Sequence, residues 1–290
     1  MKPKILIQLD TDQQPSVFDA VVAVDAGVEH LFRHGGVTPE NVRELVYGAL
    51  FTRGPADLSA TAIFIGGSNV SAGEAVLNQV KKTFFGPFKV SVLFDANGAN
   101  TTAAAAVLAA LQSHGGSLDG VSVAVLAATG PVGQRVARLL CRLGATVAVG
   151  SRSLDRATTL AETLHQTTGG TVTPFAASNT DDLAKALHES AIIVSAGAAG
   201  VMLSPASVWR NLPKLKALID LNAVPPLGIE GVDASDKNTE RDHVRAWGAL
   251  GVGGTKMKIH KKAIQELFTA NDKVLDAEQV LELGRSLSEK

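Results

Sequence analysis

The stretch VSVAVLAATGPVGQRVARLLCRLGATVAVGSRSLDRA, residues 121–157, limits what this chain can fold into more than any other. A strand-like apolar run reaches Ala127 and Ala128, a Gly130-Pro131-Val132-Gly133 turn follows, and a helical pattern extends to about residue 143. A second apolar run then closes at Gly150-Ser151-Arg152. Strand, glycine turn, helix and strand in this order form a parallel crossover unit.

In such units a glycine-rich first turn lets the backbone approach a pyrophosphate. The helix start offers unpaired N–H groups and about half a positive charge. The pattern G-x-G-x-x-G falls on Ala128, Gly130 and Gly133, so its first position departs from glycine while the other two conform. The strand and helix on either side are the context that supports a dinucleotide site, with Thr129, Gly130, Pro131, Val132 and Gly133 against the phosphates. An acid at the end of the second strand would accept from a ribose 2′-hydroxyl and repel a 2′-phosphate. Here Ser151, Arg152 and Arg156 stand there instead. Hydrogen bonds to a charged group contribute about 1.5 to 3 kcal/mol, roughly ten- to a hundredfold in preference. The expected cofactor is therefore NADP, with NAD as a tolerated second.

The 290 residues, 46% hydrophobic and 19% charged, have enough apolar surface for one large domain or two modest ones. With a net charge of −1 and scattered Lys and Arg, the chain lacks the footprint of a nucleic-acid or anionic-membrane binder. The single Cys141 excludes an intrachain disulfide. The apolar run of MKPKILIQLD is too short for a signal segment, and no window approaches the length of a membrane span. A cytoplasmic location is the expectation.

Strand-like runs alternate with helical ones along the whole chain. ILIQL, TAIFIGG and FKVSVLFD are the strands of a first α/β domain; helices open at Pro15-Ser16 and at Thr38-Pro39, and a third is AGEAVLNQVKKTFF. The Ala-rich TTAAAAVLAALQS reads as a helical connector. VSVAVLA, TVAVG, TVTPFA, AIIVSAG and KALIDLN then build a doubly wound, Rossmann-type parallel sheet. The fold class is α/β in two domains with a cleft between them. The first covers residues 1–102, with the terminal helix in 270–290 packing back on it; the second covers 103–269. The remaining strand ends of the second domain should line the cofactor crevice, including Ala196, Gly197 and Ala198, Asn222 in DLNAVPPLG, and Gly253 in GALGVGGTKMKIH. That last Gly-rich segment is expected to feed a helix start, with Lys256 near the first turn.

These residues together resemble the bacterial NAD(P)-dependent methylene-tetrahydromethanopterin dehydrogenases over nearly the whole chain. LDTDQQPSVFD, VTPENV, FFGPF, DANGANTTAAA, TGPVG, SRSLDRA, DLNAVPPLGIEGVDASDK and GALGVGGTKMKIH carry the resemblance, and PSVFD and NAVPPLGI are not generic to dinucleotide domains. It implies oxidation of the methylene carbon bridging two pterin nitrogens to the methenyl cation, in the one-carbon metabolism of formaldehyde oxidation and methylotrophy. It also implies a homo-oligomer, trimer or dimer.

Hydride loss from an N–CH2–N carbon is pushed by a nitrogen lone pair and leaves no proton to abstract, so no base is required. The only Tyr, Tyr47, is followed four residues on by Phe51, so the Tyr-x-x-x-Lys element of the related folate dehydrogenase-cyclohydrolases is missing. The site must orient two rings, exclude water and place negative potential near the developing cation. Candidates are Asp10, Asp12 and Asp19, with Phe18 as a ring to stack on the pterin, and Asn97, Asn100, Thr102 and Asn222. Asp19 and Lys256 are the catalytic choices, Lys256 by the resemblance alone. His30 and His34, read as sharing a helical face, lack further ligands for zinc, so no metal is expected, and His260 reads as a surface or packing residue. Rival readings are a methylene-tetrahydrofolate or shikimate-type dehydrogenase on the same plan, and a non-catalytic NADP sensor.

Overall fold

The computed structural model describes residues 2–288. The chain divides into two compact units, one built from residues up to Thr101 together with those from Met257 onward, the other from Thr102–Lys256. Residues 257–269, placed by the sequence reading in the second domain, therefore group with the first.

The first unit contains β1 (Ile5–Asp10), α1 (Val17–Asp25), β2 (His30–His34), α2 (Val42–Phe51), β3 (Thr61–Gly66), α3 (Val70–Thr83) and β4 (Ser91–Phe94). Helix α4 (Ala99–Ser113) leads out of it into the second unit. Continuous apolar runs such as TAIFIG, buried at every position, suit strands covered on both faces. The Ser16 hydroxyl accepts from the Asp19 N–H at 3.2 Å and so starts α1. HLFRH is not helical as expected: it is the strand β2, paired in parallel with β1. Its two histidines therefore stand on an edge strand. Helix α2 begins at Val42, later than expected, because the Asn41 side chain accepts from the Thr38 N–H at 2.8 Å and holds Thr38–Asn41 as a turn.

The second unit continues with β5 (Ser122–Leu126), α5 (Pro131–Arg142), β6 (Thr146–Gly150), α6 (Leu154–Thr168), β7 (Val172–Phe175), α7 (Thr180–Leu187), β8 (Ile192–Ser195), α8 (Ala206–Trp209) and β9 (Ala217–Asp220). Two further strands that the sequence reading did not anticipate follow, β10 (Lys237–Arg241) and β11 (Val244–Trp247). Then α9 (Ala249–Glu266) crosses the unit boundary, and β12 (Val274–Leu275) and α10 (Ala277–Ser288) complete the first unit.

The five-stranded sheet is ordered β12-β4-β3-β1-β2 and all its pairings are parallel. Numbered within its own unit, that is the 2-1-3-4-5 order, which reverses direction between β1 and β3. The seven-stranded sheet is ordered β10-β11-β9-β8-β5-β6-β7, parallel except for the edge strand β10. Its parallel part is the 3-2-1-4-5-6 order, reversing between β5 and β8. Open α/β sheets bind ligands outside the carboxyl ends of the strands at such reversals. Each unit thus builds one crevice, at Asp10 and Gly66 in the first and at Ala127 and Ala196 in the second.

A candidate two-part active site

In the second unit, α5 begins at Pro131 with Gly130 as its N-cap residue, and no described side chain caps it, so its first N–H groups face outward. Gly133 is forced: a β-carbon there would lie 2.7 Å from the Cα of Ala128 and 2.8 Å from the carbonyl oxygen of Ala127. Gly130 is not forced by packing, since the nearest atom to an added β-carbon is 3.5 Å away. A β-carbon there would make only ordinary contacts, with the Ala127 and Ala196 carbonyl oxygens at 3.5 and 3.9 Å. The left-handed turn residue is Ala127, with φ 53°, not the Ala128 that occupies the first glycine position of the pattern. Ala128 is fully buried under α5.

Ser151, Arg152 and Arg156 follow β6 as expected, with Ser151 partly buried and both arginines exposed. The Ser151 and Thr129 hydroxyls lie 3.3 Å apart and join the two loops. Ser153 caps α6 by accepting from the Arg156 N–H at 3.4 Å, which places Arg156 in the first turn of that helix. Across the reversal, Ala196 donates its N–H to the Leu126 carbonyl at 3.1 Å. Gly197 is small for an internal reason as well, because a β-carbon there would meet Leu203 at 2.7 Å.

Asn222 has structural work of its own. Its side chain accepts from the Val224 N–H at 2.9 Å and donates to the Pro226 carbonyl at 3.1 Å, closing the loop that contains the cis Pro225-Pro226 bond. The buried Asp220 anchors the same loop by accepting from the N–H groups of Asn222 and Ile229 at 3.1 and 2.8 Å. Burial pushes its carboxyl up, and those backbone hydrogen bonds pull it back.

The Gly-rich segment before Lys256 is not a loop. α9 starts at Ala249, so Gly251, Gly253 and Gly254 are inside the helix and Lys256 stands about two turns along it. Gly251 is required by close packing, with the Asp236 carbonyl oxygen 1.9 Å from where a β-carbon would be. Around Gly253 there is open space among the described residues.

In the first unit the residues at the reversal are acidic. Asp10, fully buried at the end of β1, accepts from the N–H groups of Asp12 and Ser16 at 2.9 and 3.0 Å and shapes the loop into α1. Asp12 is a strut: it accepts from the Ser68 N–H at 2.9 Å and the Ser68 hydroxyl at 2.8 Å, tying the loop after β1 to the one after β3. Asp95, buried at the end of β4, accepts from the Asn100 and Thr101 N–H groups at 2.9 and 3.0 Å. The Thr101 hydroxyl adds a third hydrogen bond at 2.6 Å. Thr101, not the neighbouring Thr102, is thus the hydroxyl that meets a site carboxylate. Asn100 donates to the Phe94 carbonyl and to the Asp276 carboxylate at 2.6 and 2.8 Å, so its amide holds the fold. Asn97 is exposed, with φ 53°, and donates its N–H to the Gly67 carbonyl at 2.7 Å.

Asp19 differs from these struts. Its side chain is only partly buried, yet burial is the largest influence on its carboxyl and pushes it above the usual range. His260 and the Ser16 hydroxyl pull it down, while Asp95 and Asp10 push it up. Gly66 makes room for this gathering: a β-carbon there would lie 3.2 Å from the Asp10 Oδ2 and 3.6 Å from the Asp19 Oδ2. Phe18 presents a ring that is 52% exposed, unusual for a phenylalanine beside carboxylates. It lies 6.4 Å from the ring of His260, which stacks on the buried Phe64 at 5.7 Å and 24°. The sequence reading took His260 as a surface or packing residue, for nothing local in KIHKK marks a histidine that stacks on Phe64 and lies beside Phe18.

The model for the N-terminal part of methylene-tetrahydromethanopterin dehydrogenase matches residues 17–97, the segment that carries Phe18, Asp19, Gly66 and Asp95. The chain is 32% identical over 279 residues to the NAD(P)-dependent methylenetetrahydromethanopterin dehydrogenase of Methylorubrum extorquens, covering 94% of each. The chain belongs to the methylene-tetrahydromethanopterin dehydrogenase family. Another relative, the bifunctional protein MdtA of Methylorubrum extorquens, is 45% identical over 288 residues, 99% of this chain and all of that one. Among solved structures, ornithine carbamoyltransferase from Pyrococcus furiosus aligns at TM-score 0.58 with 14% identity over 92% of this chain and 84% of that one. Shikimate 5-dehydrogenase from Listeria monocytogenes aligns at 0.51 with 13% identity over 98% and 96%. At such identities these two show the two-sheet α/β fold alone.

Proposed function

We propose that this family member is an NADP-dependent dehydrogenase that converts 5,10-methylene-tetrahydromethanopterin to the methenyl cation by direct hydride transfer. The observation that carries the reading is the pairing of two strand-order reversals with unlike chemistry. One, in the seven-stranded sheet, is lined by small residues and backbone and flanked by Ser151 and Arg152. The other, in the five-stranded sheet, gathers carboxylates around an exposed aromatic ring. The first suits a dinucleotide, the second a cationic product carried on a flat ring system. The 32% identity to an NAD(P)-dependent methylenetetrahydromethanopterin dehydrogenase supports the substrate.

The residues fit a bound NADP. The bare Cα of Gly130 and the uncapped start of α5 suit a pyrophosphate. Ser151, Arg152 and Arg156 would hold the 2′-phosphate by charge-assisted hydrogen bonds, favouring NADP while NAD remains a weaker alternative. When bound, the nicotinamide supplies the hydride acceptor.

The chain's own groups need only orient and stabilise. Phe18 gives the pterin a face to stack on. Asp19, ionised, sets a negative charge in a partly desolvated place where the cation forms, which favours the transition state over the uncharged substrate. Asp10 and Asp12 act one step back by fixing the loop that leads into α1, while Asp95 fixes the start of α4. Lys256 is retained as an active-site residue by the resemblance, with a role in orienting pterin or cofactor. No base acts, because no proton leaves the methylene carbon.

Substrate carrying two deuteriums on the methylene carbon tests the reaction. Mass analysis should find one deuterium in the NADPH produced, and release of that label to solvent would exclude direct transfer.

A further inference from the structure

We propose that His260 is a positioning residue for Phe18 and the adjoining Asp19, acting from beneath the candidate pterin site; this rests on the proposed reaction. His260 is 1% exposed, on α9, far in sequence from everything it touches. It stacks on Phe64, which is itself 1% exposed and belongs to the rigid central strand β3. From that base its ring reaches the half-exposed Phe18 on α1. The same imidazole pulls the Asp19 carboxyl down, against the larger upward push of burial.

One side chain therefore joins the two residues with which the site would meet its substrate. Replacing it by an aliphatic residue of similar bulk would keep the core filled and lose both links. The charged and polar groups that face Asp19 are His260, Ser16, Asp95 and Asp10. Of these only the imidazole can carry positive charge.

His260→Phe separates the two links, since a phenyl ring can stack on Phe64 and Phe18 but cannot oppose a carboxylate. Its KM for the methylene pterin should stay within about twofold of wild type. Its kcat should fall about tenfold on the acid side, with the acidic limb of the pH profile moved to higher pH, because each unit below a carboxyl pKa lowers the ionised fraction tenfold. His260→Leu should raise KM as well. Wild-type kcat and an unmoved limb in His260→Phe would overturn the proposal.

A second measurement needs neither turnover nor a stable His260 variant. NMR titration of the His260 imidazole in the free enzyme should give a lower pKa in Asp19→Asn than in wild type, as an opposing charge is lost. An unchanged imidazole pKa would overturn the pairing even if the dehydrogenase reaction is confirmed. A lowered one would uphold it even if methylene-tetrahydromethanopterin is not turned over, in which case the reaction, not the pairing, is wrong.

Discussion

The Cα of Ala128 lies 2.7 Å from the place where a β-carbon on Gly133 would stand, whereas the nearest atom to a β-carbon on Gly130 is 3.5 Å away. Two glycines of one turn are thus kept for different reasons. Gly133→Ala pushes α5 off β5 and should cost about 1 to 3 kcal/mol in denaturant unfolding. Gly130→Ala should unfold within about 0.5 kcal/mol of wild type. It should nevertheless bind NADP at least about tenfold more weakly by titration calorimetry, because its methyl occupies the space in front of the helix start. Equal affinity in Gly130→Ala and wild type would remove the pyrophosphate from that turn.

Arg152→Ala should reduce the preference for NADP over NAD by about ten- to a hundredfold in kcat/KM, the worth of a charge-assisted hydrogen bond. The loss should be confined to NADP. An unchanged ratio would mean that Ser151 and Arg156 suffice or that the 2′-phosphate lies elsewhere, and the double Arg152→Ala, Arg156→Ala variant separates these.

Asp19→Asn sets function against stability. A carboxyl raised in the folded protein binds more protons folded than unfolded, so its ionisation lowers stability as pH rises from the ordinary carboxylate value through the raised one. The penalty is fully present above that window and absent below it. Asp19→Asn should therefore melt at or above the wild-type temperature at pH 7, lose that advantage in acid, and lower kcat by about a hundredfold if the carboxylate stabilises the cation. The wild-type rate should fall as pH drops through the raised pKa.

Thr101→Val removes a 2.6 Å hydrogen bond to the buried Asp95 with little change in volume. It should destabilise the chain by about 1 to 3 kcal/mol, read from the shift of the unfolding midpoint, while Thr102→Val should not. That contrast checks which of the adjacent hydroxyls serves the acid.

The dinucleotide turn could be read directly because its chemistry is local: strand, Gly130, Gly133, helix and Arg152 lie within about thirty residues, and hydrophobic period marks each. The strands β1, β3, β4 and β5 to β9 were legible for the same reason. β2 was not, since HLFRH is an edge strand with exposed Phe32 and a charged Arg33, and lacks an apolar run. The two-residue β12 is recognisable only by its partner β4. The Gly-rich start of α9 looked like a loop because glycine weakens helices, and tight packing of Gly251 against the Asp236 backbone overrides that preference. Asp10, Asp12 and Asn100 in the first domain, and Asn222 in the second, were expected as substrate-binding residues. Sequence could not show that their hydrogen bonds close on the chain itself, nor that His260 stacks on Phe64 beside Phe18.

The rise in NADPH absorbance with purified protein, measured with methylene-tetrahydromethanopterin or methylene-tetrahydrofolate and with NADP or NAD, tests the proposed reaction most directly. Turnover should be fastest with the methanopterin substrate and NADP. No turnover in any of the four pairings, by protein that binds NADP in calorimetry, would contradict the proposed reaction and leave only the dinucleotide site.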